Sequence, residues 1–356
     1  MSNKTFAGNT SNAEMQEVSE LQSPKSDWEK KLQELILAKG SPLTPREFQE
    51  KINIVFHDVE ARVYDHVHDE MWKSLELLTY TLSKAAIDQK QDCREIILAD
   101  IGCGTGLATE LLLRGPLSEK IKTVHLVDTS TEMLNRCKRR AQSWKKETHF
   151  YHGRIDLLAD ESVDILLMSS VLHHIPDIRE FCEQISRVIR PGGVFIHMQD
   201  PRSGGINDSV LRERAERFSA IGRNGFLSWK TWPRILRLPM SALIRLNIWR
   251  KHSHIREVNK RLINAGAISI PMSAGEIWSV TDVHVEGLPF AIGKGVSMEA
   301  LSAALSAFEN TTWKTYGFFG ALSSDLPKQL KREEEDLFNS GDKHGAQVAG
   351  VWVKGR

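Results

Sequence analysis

The sequence predicts an α/β fold: a seven-stranded, mostly parallel sheet with helices on both faces, an N-terminal helical extension and a helical insertion after the fifth strand. Three observations predict it. Short apolar runs alternate with amphipathic stretches from residue 95 to about 200, a rhythm that a covered parallel sheet satisfies. The first run ends in a glycine-rich turn, Gly102-Cys103-Gly104-Thr105-Gly106, as a buried strand does when it feeds a helix. Two further strand patterns near the C-terminus supply a closing pair read as antiparallel.

Taken in order, residues 1–25 are polar and without period, which predicts a mobile tail. A helix is expected over Asp27–Lys39. After the break at Gly40–Pro42, Thr44 before Pro45 is a helix start, with Thr as N-cap and Pro at the first helical position. Apolar residues three or four apart continue this helical pattern to Leu82, with a break near His57. Residues 26–94 thus form an extension expected to cover the site.

The strand Ile96–Ile101 is followed by a helix over Leu107–Arg114, a second strand over Thr123–Asp128 and a helix over Ser130–Trp144. A third strand is expected at His149–His152 and a fourth at Val163–Ser169. The helix Ile178–Ile189 should stop at Arg190-Pro191-Gly192-Gly193, before a fifth strand at Val194–Met198. The closing strands are read at Thr312–Phe319 and Ala346–Val353. The core therefore comprises 95–201 and 291–356, and residues 202–290 form a basic, Trp-rich helical insertion expected to be a lid over the acceptor, with a carrier-protein contact or adsorption to a membrane surface as alternatives. In 202–261 there are fourteen Lys and Arg against four Asp and Glu, and 202–290 carries Trp229, Trp232, Trp249 and Trp278.

Composition narrows the function. The 356 residues hold 47 Lys and Arg against 46 Asp and Glu, so overall charge points to no polyanionic partner. Four cysteines without ligand spacing argue against a disulfide framework and a structural zinc. No run has the length of a signal peptide or membrane span, so the expected compartment is cytoplasmic.

The sharpest chemical signal is Asp100-Ile101-Gly102-Cys103-Gly104-Thr105-Gly106 with Asp128 at the tip of the next strand. Alternate glycines let a ligand lie against bare main chain, and an acid at the second strand's end can accept hydrogen bonds from ribose hydroxyls. A dinucleotide fingerprint would want glycine at 107, where Leu107 stands, and Asp100 would repel a phosphate. Nucleoside binding without a pyrophosphate follows.

These motifs, with the Asp164–Ser170 strand, Val171-Leu172-His173-His174-Ile175-Pro176-Asp177 and Arg190–Gly193, resemble class I methyltransferases that use S-adenosylmethionine. The resemblance covers roughly 95–200 and 310–356. It implies that the turn (Asp100, Gly102, Cys103, Gly104, Gly106) holds the methionine part, Asp128 with Thr129 the ribose, and Met133 one adenine face. Ser169 ends the fourth strand beside them, and Tyr64 closes the methionine end. In much of the family an acid follows the glycine after the third strand. Here Gly153 is followed by Arg154, and the adenine contact moves to Asp156.

His173 is the candidate base for an acceptor proton; the bland alternative is packing under the cofactor loop. His174, Arg202, Trp229 and Trp232 are candidate acceptor contacts, and no metal ligands are assigned. Tyr64, His66 and His68 with His57 and Glu60 do not converge on a regular helix. The expected partner is a small, fairly apolar acceptor, either anionic or presented on a carrier; nucleic acid is not expected. O-methylation leads, because Ser169-Ser170-Val171-Leu172 stands where amino-nitrogen enzymes carry Asn/Asp-Pro-Pro-Tyr. N- or C-methylation, RNA methylation through the basic insertion, a non-methylating cofactor-assisted reaction and an inactive scaffold stay open.

Overall fold

The central strands are short and apolar on both faces, so they require a layer of helix above and below. In the computed structural model, which describes residues 27–67, 75–89, 95–225, 253–321, 323 and 326–356, seven strands form one sheet. They are β1 (Ile96–Ile101), β2 (Ile121–Asp128), β3 (Glu147–His152), β4 (Val163–Ser169), β5 (Ile189–Pro201), β6 (Phe308–Tyr316) and β7 (Gln347–Lys354). Their order is β3-β2-β1-β4-β5-β7-β6. Only β7 runs antiparallel to its neighbours. The order reverses between β1 and β4, which opens a crevice at the carboxyl ends of the strands.

On one face, α4 (Glu76–Gln89), α5 (Leu107–Leu112) and α12 (Lys328–Ser340) bury Leu78, Leu82, Leu112, Leu330 and Phe338 against alternate strand residues such as Leu98, Ile165 and Ile196. The other face is covered by α7 (Ile178–Val188) and α11 (Met298–Ala304), through Ile185, Val188 and Leu301. The helix α6 (Thr131–Ala141) begins at Ser130, whose hydroxyl accepts from the Met133 N–H.

A third core lies apart from the sheet. It joins α1 (Asp27–Ala38) and α2 (Pro45–Glu60) to α9 (253–264) and α10 (Ala274–Thr281), packing Leu35, Phe48 and Ile52 on Val258, Leu262 and Ile277. The N-terminal extension and the end of the insertion, separate segments in sequence, therefore share one apolar core. Asn259 locks the unit, accepting from the Met272 N–H at 2.6 Å and donating to the Met272 carbonyl at 2.8 Å. Two capping boxes, Thr44 with Glu47 and Ser273 with Glu276, start α2 and α10. The remaining helices are the single turn α3 (Tyr64–Val67) and α8 (Ser209–Gly225).

Some boundaries differ from the sequence reading. Ile189, read as the helix end, and 190–193, read as its stop, already belong to β5: Ile189 pairs with Val163 of β4 ahead of a register shift, because the chain leaves α7 in an extended conformation at Ile189. β6 starts at Phe308 and ends at Tyr316; Phe318 and Phe319, read as strand, leave the sheet to fill the core. The expected tail 1–25, His68, Trp229, Trp232 and Trp249 lie outside the described residues.

Candidate functional site

A cavity of about 690 Å³ opens at the carboxyl ends of β1, β2 and β4 and is roofed by α2, α3 and α10. At one end, Asp128 closes β2. Its carboxylate accepts from the Gly104 N–H and the Ser130 N–H, both at 2.7 Å, and so faces the glycine turn squarely. Burial raises its pKa against these two hydrogen bonds, with the Asp58 charge adding to the rise.

The glycine turn is held by Val127, whose carbonyl accepts from both Gly102 and Cys103. Gly104 sits in the left-handed region at φ +53°, and a Cβ built there meets nothing within 4 Å. The bare main chain thus looks into open space. Two buried polar atoms beside this space, Asp100 Oδ1 and Ser169 Oγ, have no hydrogen-bond partner among the described residues. Asp100 uses its other oxygen on the Thr109 hydroxyl at 2.6 Å, and burial outweighs that bond and pushes its carboxyl up to about 7. An open backbone face with unsatisfied acceptors behind it fits a ligand with an amino-acid end.

The N-terminal extension is pinned over this end by charge. Asp65 accepts from the Thr105 hydroxyl at 2.6 Å and from Arg140 at 2.7 Å, while Arg140 donates to the Thr105 carbonyl at 2.8 Å. Asp58 accepts from the Ser130 hydroxyl and the Glu132 N–H, and so joins α2 to the start of α6. Tyr64 lines the cavity from this cover, its phenol pKa raised by burial and by nearby carboxylates.

At the other end stand two histidines. Asp200, fully buried, accepts from the His173 N–H at 3.1 Å and from His173 Nδ1 at 2.9 Å. Burial would raise the Asp200 carboxyl, but His173 and His197 hold it down at about 2. A carboxylate can only accept, so His173 carries its proton on Nδ1 and leaves Nε2 as a base. Burial and the adjacent His174 lower the His173 pKa, which keeps that nitrogen unprotonated near neutrality. Nε2 lies 3.8 Å from Asp282 Oδ1, at the end of α10. For His174, burial is overcome by Asp282 and the Thr281 carbonyl, and its pKa rises.

The backbone around this pair is strained. Ser170 and Gln199, neither a glycine, take φ of +61° and +70°. Gln199 falls in the register shift between His197 and Asp200, where β5 bends and turns Asp200 toward His173.

Donor atoms of His173, His174 and Asp282 lie within 4.8 Å of one another, a spacing a metal ion could bridge. His174 Nδ1 already donates to the Thr281 carbonyl at 2.8 Å, however, so that nitrogen has no lone pair to offer. The cluster is read as a hydrogen-bond network.

Of the residues singled out from sequence, Gly102, Gly104, Asp128, Thr129, Met133, Asp156, Ser169, Tyr64, His173 and His174 line the cavity. Asp100, Cys103 and Gly106 lie outside the lining, in the fabric of the turn. Arg202 is not brought to the cavity wall. Its guanidinium is spent on Asp208 and on the Gly345 carbonyl, because β5 runs past the site before the chain turns. Sequence reasoning missed Asp200, Trp278, Asp282, Gln49 and Phe56. An acid at the end of β5 was the available signal for Asp200; nothing marked the others.

Residues 99–197 match the family described as "Methyltransferase domain". A trans-aconitate 2-methyltransferase of Pseudomonas aeruginosa is 31% identical over 180 residues, which cover 46% of this chain and 61% of that protein. A thiol S-methyltransferase, TMT1B of Rattus norvegicus, is 24% identical over 179 residues, covering 48% and 71%. The ubiquinone/menaquinone biosynthesis C-methyltransferase of Bradyrhizobium diazoefficiens is 28% identical over 155 residues, covering 42% and 60%. The chain thus spans about three fifths of the length of the trans-aconitate enzyme that it matches.

Proposed function

Because this chain carries a class I S-adenosylmethionine-dependent methyltransferase domain, we propose that it transfers a methyl group to a small or medium-sized, fairly apolar acceptor, with oxygen favoured over nitrogen or carbon. The observation that carries this reading is a single cavity with a nucleoside-type end, Gly104 and Asp128, and a base, His173, at the other. Its volume suits a cofactor and a modest acceptor together.

S-adenosylmethionine, when bound, supplies a methyl group already activated on sulfonium sulfur. The protein's work is to hold, align and dry. Asp128 and Thr129 would hold the ribose, Met133 and Asp156 the adenine, and the turn at Gly102–Gly104 with Tyr64 the methionine end. Asp100 would meet the ammonium through its unpaired oxygen, and Ser169 would contribute its hydroxyl. His173, oriented by Asp200, would take the acceptor's proton, a contribution of roughly 10²–10⁴-fold where such a base operates.

The extension 26–94 and the insertion 202–290 would act as cover and acceptor-binding lid around the core of 95–201 and 291–356, a division supported by the apolar core they share. Trp229 and Trp232 belong to this lid reading by their sequence position. Cys103, Cys137 and Cys182 are free thiols, in keeping with a cytoplasmic setting. No helix among the described residues is long and apolar enough to cross a membrane.

The test is calorimetric titration with S-adenosylhomocysteine. Asp128→Ala should weaken binding by about 2–4 kcal/mol through lost charge-assisted hydrogen bonds, with the fold intact. An unchanged dissociation constant would remove Asp128 from the site.

A further inference from the structure

The acceptor end of the cavity constrains what can sit there. Two hydrogen-bond acceptors, His173 Nε2 and Asp282 Oδ1, lie side by side on this wall, 3.8 Å apart. Neither atom carries a proton at rest. His173 is held as the Nδ1–H tautomer by Asp200, and Asp282 is kept ionised by His174 against the effect of burial. A polar group that meets this pair from the cavity must donate a hydrogen bond, since a third lone pair there would face two others without a proton.

The wider wall points the same way. Among the described residues, seven carboxylates line the cavity against two guanidiniums, Arg46 and Arg154. Arg46 is bound to Glu180, and Arg154 lies 3.6 Å from both Glu50 and Asp156. Each described guanidinium thus already faces a carboxylate. Like charge brought close in a partly desolvated cavity is costly. The apolar lining adds three aromatic rings, Phe56 from α2, Phe181 from α7 and Trp278 one turn before Asp282, to the aliphatic Val171, Ile175 and Pro176.

We propose that the acceptor is a neutral hydroxyl compound with an apolar, ring-sized body, its O–H donated to His173 Nε2, and that carboxylates are excluded by Asp282 and the acidic wall. This rests on the methyltransferase reading above and narrows it. It sets aside the anionic version of the acceptor, and it separates this chain from its trans-aconitate-methylating relative, whose name implies a polycarboxylate.

The balance of the step is complete. The hydroxyl proton passes to His173 Nε2. The oxygen lone pair forms the new carbon–oxygen bond as the carbon–sulfur bond breaks, and the sulfonium becomes a neutral thioether. The proton then leaves His173 for solvent. A carboxylate acceptor would need no base, so the His173–Asp200 pair would have no part in it.

The experiment uses two probes of one shape, benzyl alcohol and benzoate, titrated into the full chain saturated with S-adenosylhomocysteine and followed by calorimetry. Benzyl alcohol should bind about tenfold or more tightly than benzoate. In Asp282→Asn that ratio should shrink several-fold, through tighter benzoate binding, while affinity for S-adenosylhomocysteine stays put. Benzoate binding as well as the alcohol, a ratio indifferent to Asp282→Asn, or no binding of either probe to the saturated protein would each overturn the assignment. Failure of S-adenosylhomocysteine itself to bind would instead strike the methyltransferase reading, and is measured first.

Discussion

Gly102 and Gly104 are glycines for opposite reasons. A Cβ at Gly102 would lie 2.6 Å from Val171, so that position is closed by the protein itself. A Cβ at Gly104 would meet nothing, and the space is left for a ligand. Both have positive φ, which a side chain resists. Gly104→Val should therefore fold, at a cost of about 1–2 kcal/mol for a left-handed branched residue, and should lose S-adenosylhomocysteine binding in the same titration. A crystal of the variant with the cofactor product seated against residue 104 would show that the pocket is misread. The sequence announced the turn, because alternate glycines after an apolar run have few other uses. It could not distinguish the two glycines, since the difference lies in Val171, some seventy residues away.

At the scale of elements, the cover is attached to the sheet by few contacts. Asp58 on α2 caps the start of α6 through Ser130 and Glu132, in the manner of an N-cap supplied from another helix. Asp58→Ala should lower stability by about 1 kcal/mol, read as a shift of the urea midpoint at constant slope. A change of slope would mean that the cover unfolds separately from the sheet.

The insertion calls for a more careful cut than its sequence suggests. Removing 207–265 would take Val258 and Leu262 out of the core that holds α1 and α2. Replacing 227–251 with a Gly/Ser linker spares that core. This deletion should leave S-adenosylhomocysteine binding unchanged while methyl transfer to hydroxyl acceptors drops sharply, because lids exclude water and complete the acceptor's seat. Retained turnover would end the lid reading. Binding of RNA by the intact chain that falls steeply with salt would favour the nucleic-acid reading instead.

For the whole molecule, acid is the revealing stress. Asp200 and Asp208 are both held at about 2, in each case because histidine and other donors overcome burial, His173 for the first and His344 with Arg202 for the second. Their folded pKa values lie below the unfolded value, so the stability they contribute is full above about pH 4 and is lost as pH falls toward 2. Asp200→Asn should be less stable at neutral pH, by on the order of 2 kcal/mol. Its stability should also change less between pH 4 and 2 than that of the parent. Thermal melts across that window check both. Parallel loss in the two proteins would mean that Asp200 is not the group responsible.

Local pattern by itself determined the sheet, its glycine turn, the capping of α2 by Thr44 and the placing of Asp128 opposite that turn. The reason is that each depends on neighbours in sequence: a strand's alternation, a cap three residues away, an acid at the next strand's tip. Even so, Arg202 was assigned to the acceptor on position alone and is turned away to Asp208 and Gly345. The acceptor end was decided only by tertiary structure. Asp200 reaches His173 because β5 shifts register before it, and Asp282 meets His173 because α10 packs on α2, more than two hundred residues earlier in the chain. The basic surplus counted along 202–261 leaves a hydrophobic or an anionic acceptor open, whereas among the described residues carboxylates outnumber guanidiniums on the cavity wall. Net charge along a segment says nothing about which side chains fold inward, and it is the inward ones that a substrate meets.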